Sequence, residues 1–114
     1  MIVLYGIKNC DTCKKARAWL DQHEISYRFH DFRDDGLTES QLQSFIDKLG
    51  WEVLLNKTST SWRQLSAEQQ AGLTEAKAKQ LMFGTPTLIK RPVLVNGDEI
   101  IVGFKHHVYE SKLT

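Results

Sequence analysis

The sequence predicts an α/β fold: a mixed four-stranded sheet flanked by helices, with a helical insertion between the second and third strands. Three observations carry that prediction. An apolar run near the N-terminus, a helical pattern and an alternating segment follow one another, the order of a βαβ unit. Helix caps and helical periodicity fill the middle of the chain. Two apolar triplets then flank Asn96-Gly97, and a short helical segment ends the sequence. With 114 residues the chain suits one domain, since single domains cluster near ~100–150. The expectation is a single domain over 1–114, its helical insertion at about 37–84.

Ile2-Val3-Leu4-Tyr5 is short and apolar, the signature of a buried strand. Gly6 to Asn9 reads as a loop. From Asp11 the period becomes helical: Ala16, Trp19, Leu20 and Cys13 fall on one face, with Lys14, Lys15, Arg17 and Asp21 elsewhere. This helix should fade near His23-Glu24. Tyr27 to Asp31 alternates aromatic and polar residues, a half-buried strand. Asp34-Asp35-Gly36 is a turn.

Thr38 and Gln41 match a capping box, and Leu42, Phe45, Ile46 and Leu49 follow at helical spacing until Gly50. Trp51 to Leu55 is apolar but too short to separate helix from strand. Asn56 to Ser61 reads as a polar loop. Ser66 and Gln69 form a second capping box, and Thr74 is a further N-cap. Ala78, Leu81 and Met82 give a helical stripe ending at Gly84.

Val93-Leu94-Val95 and Ile100-Ile101-Val102 flank Asn96-Gly97, which favours a type I′ hairpin turn. Lys105 to Leu113 is a short helix with Val108, Tyr109 and Leu113 as its apolar contacts. The first βαβ unit makes a parallel, right-handed pair, and the hairpin must add to it antiparallel. The thioredoxin fold has this arrangement.

Fifteen Lys and Arg against fourteen Asp and Glu leave a net charge of +1. That balance offers no nucleic-acid stripe, so direct nucleic-acid binding is not expected. No apolar run approaches the ~20 residues of a membrane span, and Ile2 to Tyr5 is too short for a signal peptide. A soluble, cytoplasmic monomer is the expectation. With two cysteines in a reducing compartment, a catalytic or metal role outweighs a structural disulfide.

Cys10-Asp11-Thr12-Cys13 places a Cys-X-X-Cys between a strand and a helix, where this spacing reads as a redox pair. Cys10 stands at the helix start, where free N–H groups and the dipole favour a thiolate. Cys13 lies one turn on and can attack a mixed disulfide at Cys10. Lys8, Lys14 and Lys15 add positive charge nearby, and Asp11 partly opposes them. Other readings stay open: Cys13 as a plain core residue, Cys10 as the sole working thiol, or a zinc site. Zinc lacks ligands, because a structural site needs four and no second Cys-X-X-Cys exists. His106-His107 reads as a surface pair, since adjacent helical residues do not share a face.

Val3 to Thr12, Lys14 to Arg17 and Tyr27 to Asp31 resemble the YffB branch of the arsenate reductase (ArsC) family. So do Gly50-Trp51-Glu52, Leu54-Leu55-Asn56, Ile89 to Pro92 and Gly103-Phe104. The likeness runs through nearly the whole chain. Arg17 to Leu20 is also similar to the Spx regulators of the same superfamily. The resemblance implies a thioredoxin-like core with a helical insertion and Cys10 as catalytic cysteine. It implies Arg91 beside Cys10, as an anion clamp, with a cis Arg91–Pro92 peptide.

It also implies glutathione as co-substrate; the ligand count leaves no metal expected, and no bound cofactor is expected. Its expected binding set is Lys8, Asn9, Asp11, Thr12, Asn56, Arg91 and Pro92. The implied activity is glutathione-dependent thiol–disulfide exchange. Glutathione or glutaredoxin is the implied thiol partner, and a small-molecule or protein disulfide the substrate. Two alternatives accompany it: arsenate reduction through a Cys10–arsenate adduct, and an Spx-like redox-switched regulator binding RNA polymerase. Against arsenate stands a departure from the family pattern. Of three arginines that hold the oxyanion in glutathione-linked arsenate reductases, only Arg91 is matched. Asn56 and Gly103 occupy the other two places, and neither replaces the guanidinium fork.

Overall fold

The computed structural model describes residues 1–114. Strands are β1 (Ile2–Gly6), β2 (Tyr27–Asp31), β3 (Val93–Asn96) and β4 (Glu99–Val102). Helices are α1 (Asp11–Gln22), α2 (Glu39–Leu49), α3 (Trp51–Leu54), α4 (Thr60–Arg63), α5 (Ala67–Gln70), α6 (Glu75–Gly84) and α7 (His106–Leu113). A 3-10 turn covers Pro86–Leu88. The chain divides into two compact units: Met1–Gly36 with Arg91–Thr114, and Leu37–Lys90.

The first unit holds the sheet, in the order β2-β1-β3-β4. β1 pairs parallel with β2, from Ile2–Tyr27 to Gly6–Asp31, and antiparallel with β3, from Ile2–Asn96 to Tyr5–Val93. β3 and β4 form the hairpin. This is the mixed four-stranded, thioredoxin-like arrangement. Leu4 and Leu94 from the sheet, Ala16, Trp19 and Leu20 from α1, Ile101 and Tyr109 make its core. Tyr109 is fully buried, edge-on to Trp19 at 5.6 Å and to Phe104 at 4.7 Å between ring centres.

Helix α1 ends in a Schellman motif: Ile25 N–H donates to Leu20 O at 3.0 Å and Glu24 N–H to Asp21 O at 3.1 Å. Glu24 occupies the left-handed position at φ 56°, where glycine is usual. In the hairpin, Asn96 pairs with Glu99, so the loop residues are Gly97 and Asp98 rather than Asn96 and Gly97. Only Gly97 has positive φ, 62°, which fits a II′ turn and corrects the I′ expectation. The asparagine is drawn into the ladder by its pairing with Ile2.

The second unit is helical. Both capping boxes form: Thr38 with Gln41 at the start of α2, and Ser66 with Gln69 at the start of α5. Gly50 ends α2 at φ 84°. The ambiguous Trp51–Leu55 run is helical to Leu54, after which Leu55 bridges Ile89. α4 falls partly in the expected polar loop, because Ser59 caps it by accepting from Trp62 N–H at 3.1 Å. Leu42, Phe45, Ile46, Leu54, Leu55, Ala78, Met82, Leu88 and Ile89 are its buried apolar residues. No helix of the chain is long and apolar enough to cross a membrane.

Candidate active site around Cys10

The sheet unit brings four segments together at one end. Cys10 is the N-cap of α1, with extended φ −141° and ψ 121°, and its carbonyl accepts the first helical bond, from Lys14 N–H at 2.9 Å. Its side chain is partly exposed. Cys13 falls on the buried face of α1 with Ala16, Trp19 and Leu20, and its exposure is 0%. The helical period alone accounts for that split: the N-cap lies outside the cylinder, while position three turns inward.

β1 ends in Gly6 directly under Cys13. A Cβ at Gly6 would lie 2.5 Å from Cys13 Sγ and 3.7 Å from the Phe29 ring. Only a glycine lets strand and sulfur approach this closely. Continuing the antiparallel register one step past Tyr5–Val93 brings Pro92 opposite Gly6. The Arg91–Pro92 peptide is cis. Pro92 O accepts from Gly103 N–H at 2.7 Å, and Gly103 O accepts from the Tyr109 hydroxyl at 3.1 Å. A chain of polar contacts thus runs from the core of α7 to the segment that carries Arg91.

The two thiols differ in acid strength. Partial burial disfavours charge on Cys10, but the Cys13 backbone N–H, the Cys13 thiol and the Arg91 guanidinium all face its sulfur. Together they hold its pKa below the ordinary value. No side-chain cap of ordinary length forms at this N-cap, so these are contacts that favour the thiolate rather than a preformed capping bond. Cys13 is pushed up to about 12, first by burial, then by the Cys10 sulfur beside it. The Ile7 backbone N–H and Arg91 act the other way on Cys13 and are outweighed.

Burial also raises the Tyr109 phenol, with Cys13 as a second cause. That phenol is a neutral hydrogen-bond donor, not a proton acceptor.

Of the residues singled out from sequence, Cys10, Cys13, Arg91 and Pro92 meet here, Pro92 fully buried. Asn9, Asp11 and Thr12 are exposed on either side of Cys10. Lys8 is otherwise engaged: its ammonium is 2.7 Å from Asp34 Oδ2. None of Lys8, Lys14 and Lys15 is the cation that lowers the Cys10 pKa; Arg91 is. Asn56 belongs to the helical unit, where its Oδ1 accepts from Thr58 N–H at 3.0 Å and Thr58 Oγ1 at 2.7 Å. No three His, Cys, Asp or Glu side chains converge as a metal site.

Sequence reasoning missed Gly6 and Asp31, and placed Tyr109 correctly as an apolar contact of the last helix without its hydrogen bond to Gly103. Gly6 had one signal, a glycine closing an apolar strand next to a Cys-X-X-Cys. Asp31 had another, a charged residue that breaks the alternation of its strand: His30 and Asp31 are both buried.

Known proteins resemble this chain in both sequence and fold. A sequence model of the ArsC family matches residues 5–111. The solved structure of a YffB protein is 46% identical, covers 100% of both chains and superposes with a TM-score of 0.96. An uncharacterized protein of Haemophilus influenzae is 42% identical over 97% of each chain. More distant is a global transcriptional regulator Spx of Streptococcus agalactiae, 26% identical over 91% of this chain and 77% of its own. A family match from Tyr5 to Ser111, together with a superposition over the whole chain, makes this protein a member of the ArsC family.

Proposed function

We propose that the chain is a glutathione-dependent thiol–disulfide oxidoreductase acting through Cys10. One observation carries this reading: a partly exposed Cys10 sulfur is faced by an N–H, a thiol and a guanidinium that favour its thiolate. A thiolate is the attacking species in disulfide exchange. Cys10 S⁻ attacks the glutathione sulfur of a mixed disulfide GS–SR. The Cys10–SG bond forms, the GS–SR bond breaks, and RS⁻ leaves to take a proton from solvent. A second glutathione, as thiolate, attacks Cys10–SG, releasing GSSG and restoring Cys10 S⁻. Arg91 steadies the sulfur charge at both ends of the cycle.

Cys13 serves this cycle first as a donor. Burial, with the Cys10 sulfur as a further cause, keeps Cys13 protonated at neutral pH. Capping Cys10 with glutathione removes the sulfur charge that holds Cys13 protonated, but burial, the larger cause, stays. Resolution therefore falls to the second glutathione, with a Cys10–Cys13 disulfide as the slower exit. Mass spectrometry after incubation with glutathione disulfide tests this on wild type, Cys10→Ser and Cys13→Ser. The expected result is one glutathione on Cys10 in wild type and in Cys13→Ser, and none in Cys10→Ser. Labelling of Cys13 instead, or no adduct on Cys10, would refute it.

A further inference from the structure

Asp31 closes β2 opposite Gly6 in the parallel register, and only 4% of it is exposed. Burying a carboxylate is costly unless donors replace water. Three backbone N–H groups do so: Lys8 to Oδ2 at 2.9 Å, Arg33 to Oδ1 at 2.7 Å and Asp34 to Oδ1 at 3.1 Å. Bonds of this charge-assisted kind are about twice as strong as neutral ones. The Asp31 N–H in turn donates to Asp35 Oδ2 at 3.0 Å, and Phe32 N–H donates to Gly6 O at 2.8 Å. The carboxylate therefore ties two separate loops: the turn after β2, and the segment between β1 and α1. The thiol chemistry needs no carboxylate here, yet this one grips the chain two residues before Cys10.

We propose that Asp31 is a positioning residue for Cys10, its buried carboxylate clamping the β1–α1 loop at the Lys8 N–H so that the sulfur is held against the start of α1. The proposal rests on the reading of Cys10 as the nucleophile. Between the clamp at Lys8 and the N-cap at Cys10 stands a single residue, Asn9. On the other side of the clamp is Ile7, buried, whose N–H faces the Cys13 sulfur. Fixing Lys8 thus fixes the approach to both thiols. Freed, the loop lets the Cys10 sulfur drift from its donors, and hydrogen bonding to a charged group falls off steeply with misalignment.

The sign of the effect separates positioning from bare electrostatics. A nearby negative charge disfavours a thiolate, so neutralising Asp31 by charge alone lowers the Cys10 pKa. Loss of the clamp raises it. The charges around the carboxylate are Lys8, Arg33, Asp34 and Asp35, and the Lys8–Asp34 pair is on the surface.

Iodoacetamide alkylation of Cys10 as a function of pH, read by peptide mass spectrometry, is the test on wild type, Asp31→Asn and Asp34→Asn. Asn keeps the shape of Asp but can satisfy only one of the two loops. The Cys10 midpoint is expected to rise by about half a pH unit or more in Asp31→Asn, roughly a threefold fall in the acid constant of the thiol. In Asp34→Asn, which removes an equal charge, it does not rise. An unchanged or lowered midpoint in folded Asp31→Asn overturns the proposal, as does an equal rise in Asp34→Asn. A wild-type midpoint at the ordinary cysteine value would instead overturn the reading of Cys10.

Should Asp31→Asn not fold, NMR of the wild-type protein decides. The Lys8, Arg33 and Asp34 amide protons should shift together with the Asp31 carboxyl, at an acid midpoint below the usual ~3.9. A Lys8 amide that ignores that titration overturns the clamp.

Discussion

Replacing Gly6 with Ala tests the contact that sets the depth of the second cysteine. The new Cβ would start 2.5 Å from Cys13 Sγ and 3.6 Å from Cys13 Cβ. Carbon and sulfur in ordinary contact stand more than an ångström further apart than 2.5 Å, so the sulfur or the strand must move by about that much. Neither has room. Cys13 is fully buried, and β1 is the inner strand between β2 and β3. Gly6 is not among the residues at positive φ, so alanine meets no backbone strain and the whole cost is the collision. Overpacking of this kind costs about 1–3 kcal/mol.

The assay is urea unfolding of four proteins: wild type, Gly6→Ala, Cys13→Ala and the double variant. Removing Sγ removes the clash, so Gly6→Ala should cost about 1–3 kcal/mol alone and well under 1 kcal/mol beside Cys13→Ala. The difference is the coupling energy of a double-mutant cycle. The same displacement takes the Cys13 thiol from Cys10, so the Cys10 alkylation midpoint should climb in Gly6→Ala. An equal stability cost in both backgrounds would refute the steric argument. It would mean that the strand absorbs the methyl without touching the sulfur.

Arg91→Met should move the Cys10 alkylation midpoint upward, towards the ordinary thiol value of about 8.5. The sign follows from a depressed pKa: the wild-type thiolate persists as pH falls, and the variant's does not. No change in midpoint would count against Arg91 as the cation. Glu24→Gly should raise stability by up to about 1 kcal/mol, since a side chain in the left-handed position costs ~1–2 kcal/mol and glycine returns part of that as entropy; a lower denaturation midpoint would contradict it. Arsenate turnover, in an assay coupled to glutathione and glutaredoxin, should be weak in wild type. Each missing charged hydrogen bond forgoes about 1.5–3 kcal/mol. Gly103→Arg should not rescue it, because Gly103 sits at φ 80° and its N–H is held by Pro92 O. Turnover restored by that change would show that the backbone there yields.

Much of the architecture was legible because its signals are local. Thr38 with Gln41 and Ser66 with Gln69 announce helix starts, since each box satisfies free N–H groups within four residues. What was not legible depends on partners far along the chain. Leu55 ends as a bridge because Ile89 lies beside it, which no local pattern reveals. The hairpin slipped by one residue for a similar reason: Asn-Gly favours a turn, but Ile2 on the neighbouring strand holds Asn96 in the ladder. At the site, the Cys-X-X-Cys was visible as a spacing. Arg91 was reachable only through family resemblance, because it lies 81 positions along the chain from Cys10. Lys8 is close to the thiols in sequence, but its exposed ammonium pairs with Asp34, a partner 26 positions on that no local pattern reveals. Asp31 was invisible as a clamp because its partners are backbone N–H groups, which carry no residue identity.

The opposite acid strengths of two identical side chains three positions apart follow from one helix start. An N-cap residue points its side chain along the axis toward unpaired N–H groups, where a negative charge is stabilised. One turn later the next cysteine points into the core, where a charge is not. Each thiol then reinforces the other: Cys13 can donate to Cys10 only while it stays protonated, and the Cys10 charge helps keep it so. Gly6 sets the depth of the donor, and Arg91 supplies the remaining positive charge. A serine at position 13 retains a donor but has a smaller atom against Gly6. It should therefore preserve more of the Cys10 pKa depression than alanine does. The order wild type, Cys13→Ser, Cys13→Ala in rising Cys10 midpoint follows from the donor's role. A resolving role alone would leave all three midpoints equal, since resolution begins only after the Cys10 thiolate has reacted.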